Sequence, residues 1–497
     1  MSRPSPIAQE GRRPGLGVLG LWHLGSVTAA CLAEAGNEVI GIDPDPTVVA
    51  GLAAGRPPVY EPGLAELIAR GAERLRFSGD PRALAQVTRA WVTFDTPVDE
   101  DDHADVEWVL ARSAELLAHL PAGALVIVSS QLPVGSIARL QARCSAVRGD
   151  GGPRGDGEPR GEDGSRGDGG SRSDGGLRGA GELRFACVPE NLRLGGALES
   201  FRTPERIVAG VRSEQDRREL AELLAPFSTN VLWMRVESAE MLKHSLNGFL
   251  ATSIAFVNEI ASICESVDAD AEEVSRGLRS DPRIGPRAYL NPGDAFAGGT
   301  LARDVGFLQS VAEHHGLTPH VSAGVARGNA AHRGWTRRKL LELLGVEQEH
   351  EHAARPLAGR TVAVWGLTYK PGTDTLRRSG AVELCRWLAR AGARVRAHDP
   401  VVHALPASLS GTLELCPSPL EAAAGAQALV VCTACPEFQE VSMDELIATL
   451  ARPAIVDPAG WLAGGLAARE GVRYARVGVP VSDTRQPRHA LVAEGSS

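Results

Sequence analysis

The chain has 497 residues, enough for two to four domains, and its 43% of hydrophobic residues is ordinary for a globular protein. A net charge of −9 makes nucleic acid and anionic membrane surfaces poor partners. The sequence has neither the apolar stretch of a secretory signal nor an uninterrupted apolar run of about 18 residues, the length of a membrane span. The eight scattered cysteines suit reduced thiols, so we expect a cytoplasmic protein.

The first predicted elements form a strand–turn–helix–strand unit. Leu16–Gly20 predicts a buried strand, His23–Ala35 a helix, and EVIGID a second strand that ends at Asp43. Gly20 and Gly25 occupy the first and third glycine positions of a dinucleotide-binding GxGxxG turn. A carboxylate about 20 residues further on binds the ribose hydroxyls of NAD. The middle glycine, which normally lets the backbone approach the pyrophosphate, is replaced by Trp22, and this replacement argues against cofactor binding.

Strands and helices continue to alternate after this unit. Ala90–Phe94 and Leu125–Ser129 predict strands, with a helix from about Asp105 to His119 between them. Such alternation indicates a parallel, doubly wound sheet. The Gly/Arg/Asp-rich segment between Arg148 and Glu182 has almost nothing to bury, so we expect a disordered insert there.

A long helix is predicted from Glu237 to Asp268, with apolar residues at three- and four-residue spacing. Lys243 and Asn247 are four residues apart and share one face near its start. A solvated polar stripe is the alternative interpretation of this pair. The chain has only three lysines, however, and that scarcity favours a specific role for Lys243.

The segment Asp281–Val305 is rich in Gly and Pro and carries Arg283, Arg287 and Arg303 around Asp304. Glycines let a backbone approach a ligand closely, and bare amides and guanidinium groups suit phosphate oxygens. An ordinary surface loop is the alternative. Its position between two βαβ-like segments favours binding of a small anionic ligand.

A second α/β unit follows the linker Gly345–Pro356. It comprises the strand TVAVWG, a polar loop, a helix to about Ala391, the strand ARVRAHDP and the strands QALVVCTA and PAIVD. The lone CxxC of Cys432 and Cys435 has no second pair, and we predict no metal site. The predicted fold class is therefore α/β, with two Rossmann-like doubly wound domains joined by a long central helix and a helical middle domain.

The motifs of the chain, in order, resemble one family of enzymes. They are GLWHLG, GID, YEPGL, DTPVDED, SSQLPVGS, PENLR, TPERIVAG, AEMLKHSLNGFLATSIAFVNE, DPRIG, GGTLARDV, GLTYKPGTDTLRRS and HDP. They resemble the UDP-glucose/GDP-mannose 6-dehydrogenase family over nearly the whole chain, except the first dozen residues, the 148–182 insert and the tail. Those enzymes oxidise the C6 alcohol of a nucleotide sugar to a carboxylate in two NAD-dependent steps, and their central helix forms a dimer.

The resemblance implies roles for individual residues. Lys243 and Asn247 would stabilise oxyanions that develop at C6, Asp304 would orient a base or water, and Glu190 would lie near the hydrolytic water. Thr300 stands at the position of the family's nucleophile. The implied cofactor contacts are Gly20, Leu24, Gly25, Asp43, Thr96, Pro97, Gln131 and Arg303. The implied substrate contacts are Arg193, Arg283, Tyr289, Gly293, Lys370 and Arg377.

The departures from the family pattern concern mainly the second oxidation. Thr300 replaces the nucleophilic cysteine, whose thiolate forms a thiohemiacetal, and a threonine hydroxyl is far less acidic. Arg303 replaces a lysine, Gln131 a threonine and Leu194 an acid. The groups for the first hydride transfer remain. We therefore expect a dehydrogenase with an altered second step, which either stops at the aldehyde or oxidises a hydrated aldehyde directly.

Two other functions remain open. One is a catalytically silent nucleotide-sugar-binding protein, which Trp22 would favour, and the other is a reaction such as epimerisation with retained NAD. The Lys370–Arg377 loop slightly favours a UDP-hexose over a GDP-hexose, and we expect a homodimer through the central helix. The predicted domains are a disordered tail at 1–14, an NAD-binding domain at 15–212 that contains the insert, a central dimerisation domain at 213–345 and a nucleotide-sugar-binding domain at 357–490.

Overall fold

The computed structural model describes residues 15–98, 104–148, 182–190, 192, 195–296, 300–346, 355–376, 379–466, 469 and 471–483. The predicted N-terminal tail and nearly all of the predicted 148–182 insert lie outside the described residues, as do Arg193, Leu194 and Arg377. The chain divides into two compact units, Met1–His244 and Ser245–Ser497.

The N-terminal unit contains an eight-stranded sheet in the order β3-β2-β1-β4-β5-β6-β7-β8. Its strands are β1 Leu16–Leu19, β2 Val39–Ile42, β3 Leu75–Ser78, β4 Arg89–Val92, β5 Leu125–Val128, β6 Arg184–Cys187, β7 Ile207–Gly210 and β8 Val231–Met234. Neighbouring strands are parallel except β6 and β7, which are antiparallel. The predicted domain boundary at 212 falls inside this sheet, because β8 pairs with β7.

Helices cover this sheet on both faces. They are α1 His23–Glu34, α2 Pro46–Ala53, α3 Leu64–Arg70, α4 Val106–Leu117, α5 Ser136–Arg148, α6 Ala197–Arg202 and α7 Glu214–Leu224. The strands are almost continuously apolar, as expected for strands that are buried on two sides. Side chains alternate along each strand, so Val18 lies in one hydrophobic cluster and Leu19 in the cluster on the opposite face.

The long central helix is α8, Val236–Val267, a 32-residue helix. Its length and apolar composition would allow it to cross a membrane. An 18-residue stretch of the helix has a mean hydropathy of 1.3, and 33% of that stretch is buried inside the protein. Core helices of soluble proteins meet the same criterion, so this observation is weak evidence for a membrane span.

The C-terminal unit contains a helical segment and a second sheet. The helices are α9 Ala271–Ser280, α10 Thr300–His314, α11 His320–Arg333 and α12 Trp335–Leu344. The sheet has the order β11-β10-β9-β12-β13-β14-β15 and is parallel except for its last pair. Its strands are β9 Thr361–Trp365, β10 Arg394–His398, β11 Glu414–Leu415, β12 Ala428–Val431, β13 Ala454–Val456, β14 Arg473–Ala475 and β15 Ser482–Asp483.

Further helices flank the second sheet, and the alternation of side chains again builds two apolar layers. The helices are α13 Gly380–Arg390, α14 Pro419–Ala423, α15 Met443–Thr449 and α16 Ala463–Leu466. Val364 lies in one cluster and Trp365 in the other. The two parallel sheets and the helical middle region confirm the predicted fold class.

Candidate functional site

The turn between β1 and α1 requires glycine at two positions. Gly20 has a φ of +88°, a conformation that other residues rarely adopt, and a Cβ at that position would lie 2.6 Å from the ring of Phe94. A Cβ at Gly25 would lie 1.8 Å from the carbonyl oxygen of Gly20. The start of α1 therefore packs directly against the end of β1, as the dinucleotide-binding turn demands.

Trp22 does not disrupt this turn. It is the N-cap of α1 with a φ of −71°, so its backbone conformation does not require glycine. The residue is 49% exposed. The backbone of the turn therefore forms with a non-glycine residue at this position.

Asp43 ties the turn to the end of β2. Its Oδ2 accepts a hydrogen bond of 2.6 Å from the backbone N–H of Leu21, and its Oδ1 accepts one of 2.9 Å from Asp45. The carboxylate is buried and held at the position where a ribose diol of a dinucleotide would meet it. Two obligatory glycines and this carboxylate fit NAD, which when bound would accept a hydride from the substrate.

Other implied cofactor residues lie in the same unit. The buried Thr96 hydroxyl donates a hydrogen bond of 2.6 Å to the carbonyl of Gln131, which joins the loops after β4 and β5. Leu24 is buried in α1, whereas Pro97 is exposed. The carboxyl ends of neighbouring parallel strands form the usual ligand edge of such a sheet.

Lys243 and Glu190 are brought together in the N-terminal unit. The Lys243 Nζ donates a hydrogen bond of 2.7 Å to the backbone carbonyl of Glu190 and lies 3.3 Å from its Oε1. The other carboxylate oxygen of Glu190 accepts a hydrogen bond of 2.9 Å from the N–H of Leu192. The lysine side chain is only 12% exposed, so its ammonium is held at one place by a partly buried partner.

Two buried carboxylates in this unit have structural roles that the sequence analysis missed. Glu240 accepts hydrogen bonds from the N–H groups of Gly135 (2.9 Å) and Ile137 (3.0 Å) at the start of α5, and burial raises its pKa. Glu61 accepts hydrogen bonds from the His23 ring (2.9 Å) and from the N–H groups of Gly195 (2.9 Å) and Ala197 (2.8 Å). Glu61 is the glutamate of the YEPGL motif. That motif is the one feature of the sequence that could have indicated a role for Glu61.

In the C-terminal unit, Asn247 and Asp304 form a buried pair. The Asn247 Nδ2 donates a short hydrogen bond to the Asp304 Oδ2, and both side chains are at most 5% exposed. Thr300 is the first residue of α10, one turn before Asp304, and is exposed. Arg303 is partly buried beside Asp304 in the same helix. Three of the implied site residues of this unit are thus adjacent at the start of α10.

The thiols of the described residues lie in surroundings that disfavour the thiolate. All eight cysteines belong to the described part of the chain, and seven are buried. Burial raises the pKa of Cys31, Cys144, Cys385 and Cys435 to about 12 and also raises it at the other four thiols. An activated nucleophilic cysteine needs the opposite shift of its pKa.

Arg283 and Tyr289 lie on the surface of the C-terminal unit. The Arg283 side chain is 87% exposed and binds both oxygens of Asp281, at 3.0 and 2.6 Å. This pairing lowers the pKa of Asp281. Tyr289 is 60% exposed. Both of these implied substrate contacts are thus exposed in this unit.

The loop that begins at Gly293 is fixed by buried side chains. The Asn258 Oδ1 accepts a hydrogen bond of 3.0 Å from the Gly293 N–H, and the His332 Nε2 is 2.8 Å from the Gly293 carbonyl. Asn329 makes two further hydrogen bonds, of 2.9 and 2.8 Å, to the backbone of Phe296. Because burial lowers its pKa, His332 is neutral and well suited to this buried position.

This loop borders a cavity of about 470 Å³ within the C-terminal unit. The cavity lies among this loop, the α11–α12 corner, the start of α13 and the ends of β9 and β12. Its size and its position suit a small ligand. Tyr369 lines it, while its neighbour Lys370 is partly buried outside the lining. The polar lining residues are Asp294, His332, Arg333, Thr336, Arg337, Thr368, Tyr369, Ser379, Glu383 and Thr433.

Family models match most of the chain. Residues 15–228 match the NAD binding domain of the UDP-glucose/GDP-mannose dehydrogenase family, 237–331 its central domain and 363–463 its UDP binding domain. The chain belongs to the UDP-glucose/GDP-mannose dehydrogenase family. The resemblance that the motifs indicated is thereby confirmed, as is NAD as the cofactor of this dehydrogenase.

Individual relatives agree with this assignment. The dehydrogenase is 34% identical to the UDP-glucose 6-dehydrogenase of Pseudomonas aeruginosa over 93% of its length and 97% of the relative. It is 31% identical to that of Rhizobium meliloti, over 93% and 99% of the two chains. The structure of a UDP-glucose dehydrogenase from Pyrobaculum islandicum matches with a TM-score of 0.75 at 29% sequence identity. The match covers 91% of the present chain and 96% of the Pyrobaculum chain. The dehydrogenase is thus an NAD-dependent oxidoreductase that acts on a CH–OH group of a nucleotide sugar.

Proposed function

We propose that this dehydrogenase oxidises the C6 hydroxyl of a UDP-hexose, with UDP-glucose as the first substrate to test. The relatives named UDP-glucose 6-dehydrogenase and the match of residues 363–463 to a UDP binding domain support this substrate. The observation that carries the proposal is the buried Asn247–Asp304 pair, with Lys243 one turn earlier in the same helix. These are the groups that hydride removal from an alcohol requires.

In the first oxidation the protein must stabilise an alkoxide and remove a proton. The Lys243 ammonium, oriented by the carbonyl of Glu190, stabilises the negative charge that develops on O6. Asn247 has a second amide N–H that supports the same oxygen, while its first is committed to Asp304. The Asp304 carboxylate accepts the hydroxyl proton, directly or through a water molecule. The product is the 6-aldehyde.

The second oxidation proceeds without a covalent thiohemiacetal, because Thr300 has no thiol and every described cysteine has a raised pKa or is buried. Water adds to the aldehyde to form a gem-diol. Loss of a hydride from C6, which a second NAD would accept, and of a proton to a carboxylate then converts the gem-diol to the sugar acid. Glu190, partly exposed beside Lys243, is the group that we assign to this water. An enzyme that cannot hold the gem-diol stops at the aldehyde.

The stoichiometry of NADH tests this proposal. The protein is incubated with NAD and a panel of UDP- and GDP-hexoses, and NADH is counted per sugar nucleotide consumed. We expect two NADH per UDP-glucose, formed with a slower second step. One NADH would show an aldehyde-forming enzyme, and no NADH with sugar nucleotide still bound would overturn the catalytic proposal in favour of a binding protein.

A Thr300→Cys variant, with Thr300→Ala as its matched control, separates the two oxidations. If position 300 lies at the reacting carbon, the thiol should accelerate carboxylate formation and leave the first hydride transfer within about twofold. Equal second-step rates for Cys, Ala and wild type would remove Thr300 from the site.

We further propose that the cavity of about 470 Å³ holds the nucleotide portion of the substrate. Its lining includes Thr368 and Tyr369, which belong to the segment that matches a UDP binding domain, and the loop after Gly293. Two arginines, Arg333 and Arg337, also line it and suit a diphosphate.

A second copy of the chain is the partner that we propose for α8. Exposed apolar side chains recur along one stripe of this helix, at successive spacings of three, seven, seven and four residues. They are Leu246 (36%), Phe249 (72%), Phe256 (47%), Ile263 (51%) and Val267 (65%). A stripe of this period is the seam of paired helices, so a homodimer would bury it.

A further inference from the structure

The segment Gln131–Ile137, which we call the β5–α5 loop, joins β5 to the first turn of α5 and is held at both ends by side chains. At its start, the Thr96 hydroxyl donates a hydrogen bond of 2.6 Å to the carbonyl of Gln131. The His244 Nε2 lies 2.7 Å from the next carbonyl oxygen, that of Leu132. A carbonyl oxygen can only accept, so the His244 Nε2 carries a proton and donates it.

The other end of the β5–α5 loop is held by Glu240. One of its carboxylate oxygens accepts a hydrogen bond of 2.9 Å from the Gly135 N–H, and the other accepts one of 3.0 Å from the Ile137 N–H. N–H groups in the first turn of a helix lack partners within the helix, so a carboxylate at this place is favourable. Glu240 and His244 are only 6% and 2% exposed, and both belong to α8. The position of the loop therefore depends on α8.

Lys243 lies between these two anchors in α8. Positions 240, 243 and 244 are three and four residues apart or adjacent, so their side chains leave the helix on the same side. The Lys243 Nζ donates its hydrogen bond of 2.7 Å to the carbonyl of Glu190, in the segment after β6. Lys243, Glu190 and Gln131 line one small cavity of about 20 Å³. One side of α8 thus holds the segments that follow two neighbouring strands, β5 and β6.

This arrangement sets the distance between groups that serve the two partners of a hydride transfer. Gln131 is an implied cofactor contact, and Lys243 is the group that we assign to the oxygen at C6. Reacting atoms must be about 3–3.5 Å apart, and a displacement of about 1 Å can slow a reaction by about 100-fold. Attachment of the cofactor-side loop to the helix that carries the lysine prevents such a displacement.

We propose that Glu240 and His244 are positioning residues for hydride transfer, which hold the β5–α5 loop and its cofactor contact at a fixed distance from the Lys243 ammonium. This inference rests on the proposed function, because that function assigns Lys243 to the reacting oxygen. Neither of the two residues has to touch the cofactor or the substrate.

A double-mutant cycle between His244 and Lys243 separates positioning from a merely structural role. Single-turnover formation of NADH from UDP-glucose at saturating NAD would measure the hydride transfer. His244→Phe should slow this step about 10- to 100-fold in the wild-type chain, but by less than about threefold in the Lys243→Ala chain, which has no ammonium left to align. Equal factors in the two chains would overturn the inference, because a general structural defect does not depend on Lys243.

Three further variants complete the cycle. His244→Gln keeps an N–H donor and should retain the wild-type rate to within about threefold. Glu240→Gln has one acceptor oxygen instead of two and should slow the step about tenfold, so it also serves if His244→Phe does not fold. His398→Phe is the control, because the His398 Nδ1 lies 2.9 Å from the carbonyl of Cys416 in the second sheet, away from the β5–α5 loop in the sequence. It should leave the rate unchanged.

Hydrogen exchange of the chain without ligands gives a readout that does not require catalysis. Glu240→Gln should speed exchange at the Gly135 and Ile137 amides, whereas His398→Phe should not. Unchanged exchange in Glu240→Gln would overturn the inference. A wild-type chain that forms no NADH from any of the tested sugar nucleotides would overturn the proposed function and this inference with it, whereas a wild-type rate in both His244→Phe and Glu240→Gln would overturn this inference alone.

Discussion

Asn247 donates a hydrogen bond to the carboxylate of Asp304, and the two side chains are buried together between α8 and α10. Asparagine can donate through its amide whatever the pH, so this hydrogen bond fixes the orientation of the Asp304 carboxylate. A buried carboxylate that is oriented in this way suits the role of proton acceptor that we propose for it. The pair also connects α10, which begins with Thr300, to the helix that carries Lys243.

Asp304→Asn should reduce kcat by at least about 100-fold, because the amide cannot accept a proton. The unfolding free energy should fall by only about 1–3 kcal/mol, the usual cost of a lost buried hydrogen bond to a charged group. Steady-state kinetics and urea unfolding would measure the two effects. Glu313→Gln, an exposed substitution in the same helix, is the control and should change neither. An Asp304→Asn enzyme with normal kcat would remove Asp304 from the catalytic group.

Lys243→Ala should slow the first hydride transfer by about 100- to 1,000-fold, since the variant loses the cation that stabilises the developing alkoxide. Single-turnover formation of NADH would measure this step. Lys339→Ala is a matched control, because Lys339 also forms ion pairs, at 3.2 Å to both Glu265 and Glu342, but is not an implied site residue. Comparable losses in both variants would point to a general effect of removing a lysine.

Glu61→Gln should raise the KM for NAD by about tenfold and leave kcat for saturating NAD nearly unchanged. The carboxylate binds His23 at the start of α1, and the same group fixes the backbone before α6 through Gly195 and Ala197. A glutamine has only one acceptor oxygen, so at least one of the three hydrogen bonds is lost. Glu66→Gln, exposed on α3, is the control. A fall in kcat without a change in KM would contradict a role in orienting the cofactor helix.

Asp294→Asn should stabilise the folded protein at neutral and alkaline pH. The pKa of Asp294 in the folded chain, about 7, is above its ordinary value of 3.8, so its ionisation opposes folding. This destabilisation is absent below the pKa of Asp294 in the unfolded chain. It grows as the pH rises from there toward 7, and it is constant at pH values above the pKa of the folded chain. We expect the variant to be more stable than wild type by about 1–2 kcal/mol at pH 8. This gain is smaller than the free energy that corresponds to the whole pKa shift, because the carboxylate is exposed and solvent screens its charge.

Urea unfolding at several pH values would measure this profile. Asp281→Asn is the control, because Arg283 lowers the pKa of that partly exposed carboxylate and no gain in stability over the same pH range is expected. A stability difference between Asp294→Asn and wild type that does not depend on pH would show that Asp294 is not desolvated.

Phe256→Glu should convert the proposed dimer to a monomer, because a charge would be placed in the middle of the exposed stripe of α8. Light scattering after gel filtration would measure the mass. Val321→Glu substitutes an apolar side chain that is 71% exposed on α11 and should leave the oligomer intact. A monomeric wild-type chain, or a dimer that survives Phe256→Glu, would exclude this surface as the interface.

The order of the elements, the family and the cofactor were determined by the sequence alone. Short apolar runs bounded by glycine predicted strands such as Leu16–Gly20 and Leu125–Ser129, and the period of α8 predicted its length to within one residue at each end. Motifs in a fixed order then indicated the family. These signals are local, or depend only on the linear arrangement of residues, so no tertiary information was needed.

Only the tertiary structure decided which side chains meet. The pairing of Asn247 with Asp304 joins positions 57 residues apart, and the contact of Glu61 with Ala197 spans 136 residues. The same holds for Trp22, whose backbone angle and exposure the residue type alone did not indicate. Likewise, Asp294 appeared as one polar residue of a loop until the cavity around it was described. Burial and hydrogen bonding depend on distances that arise only when separate segments pack together, and residue type does not encode these distances.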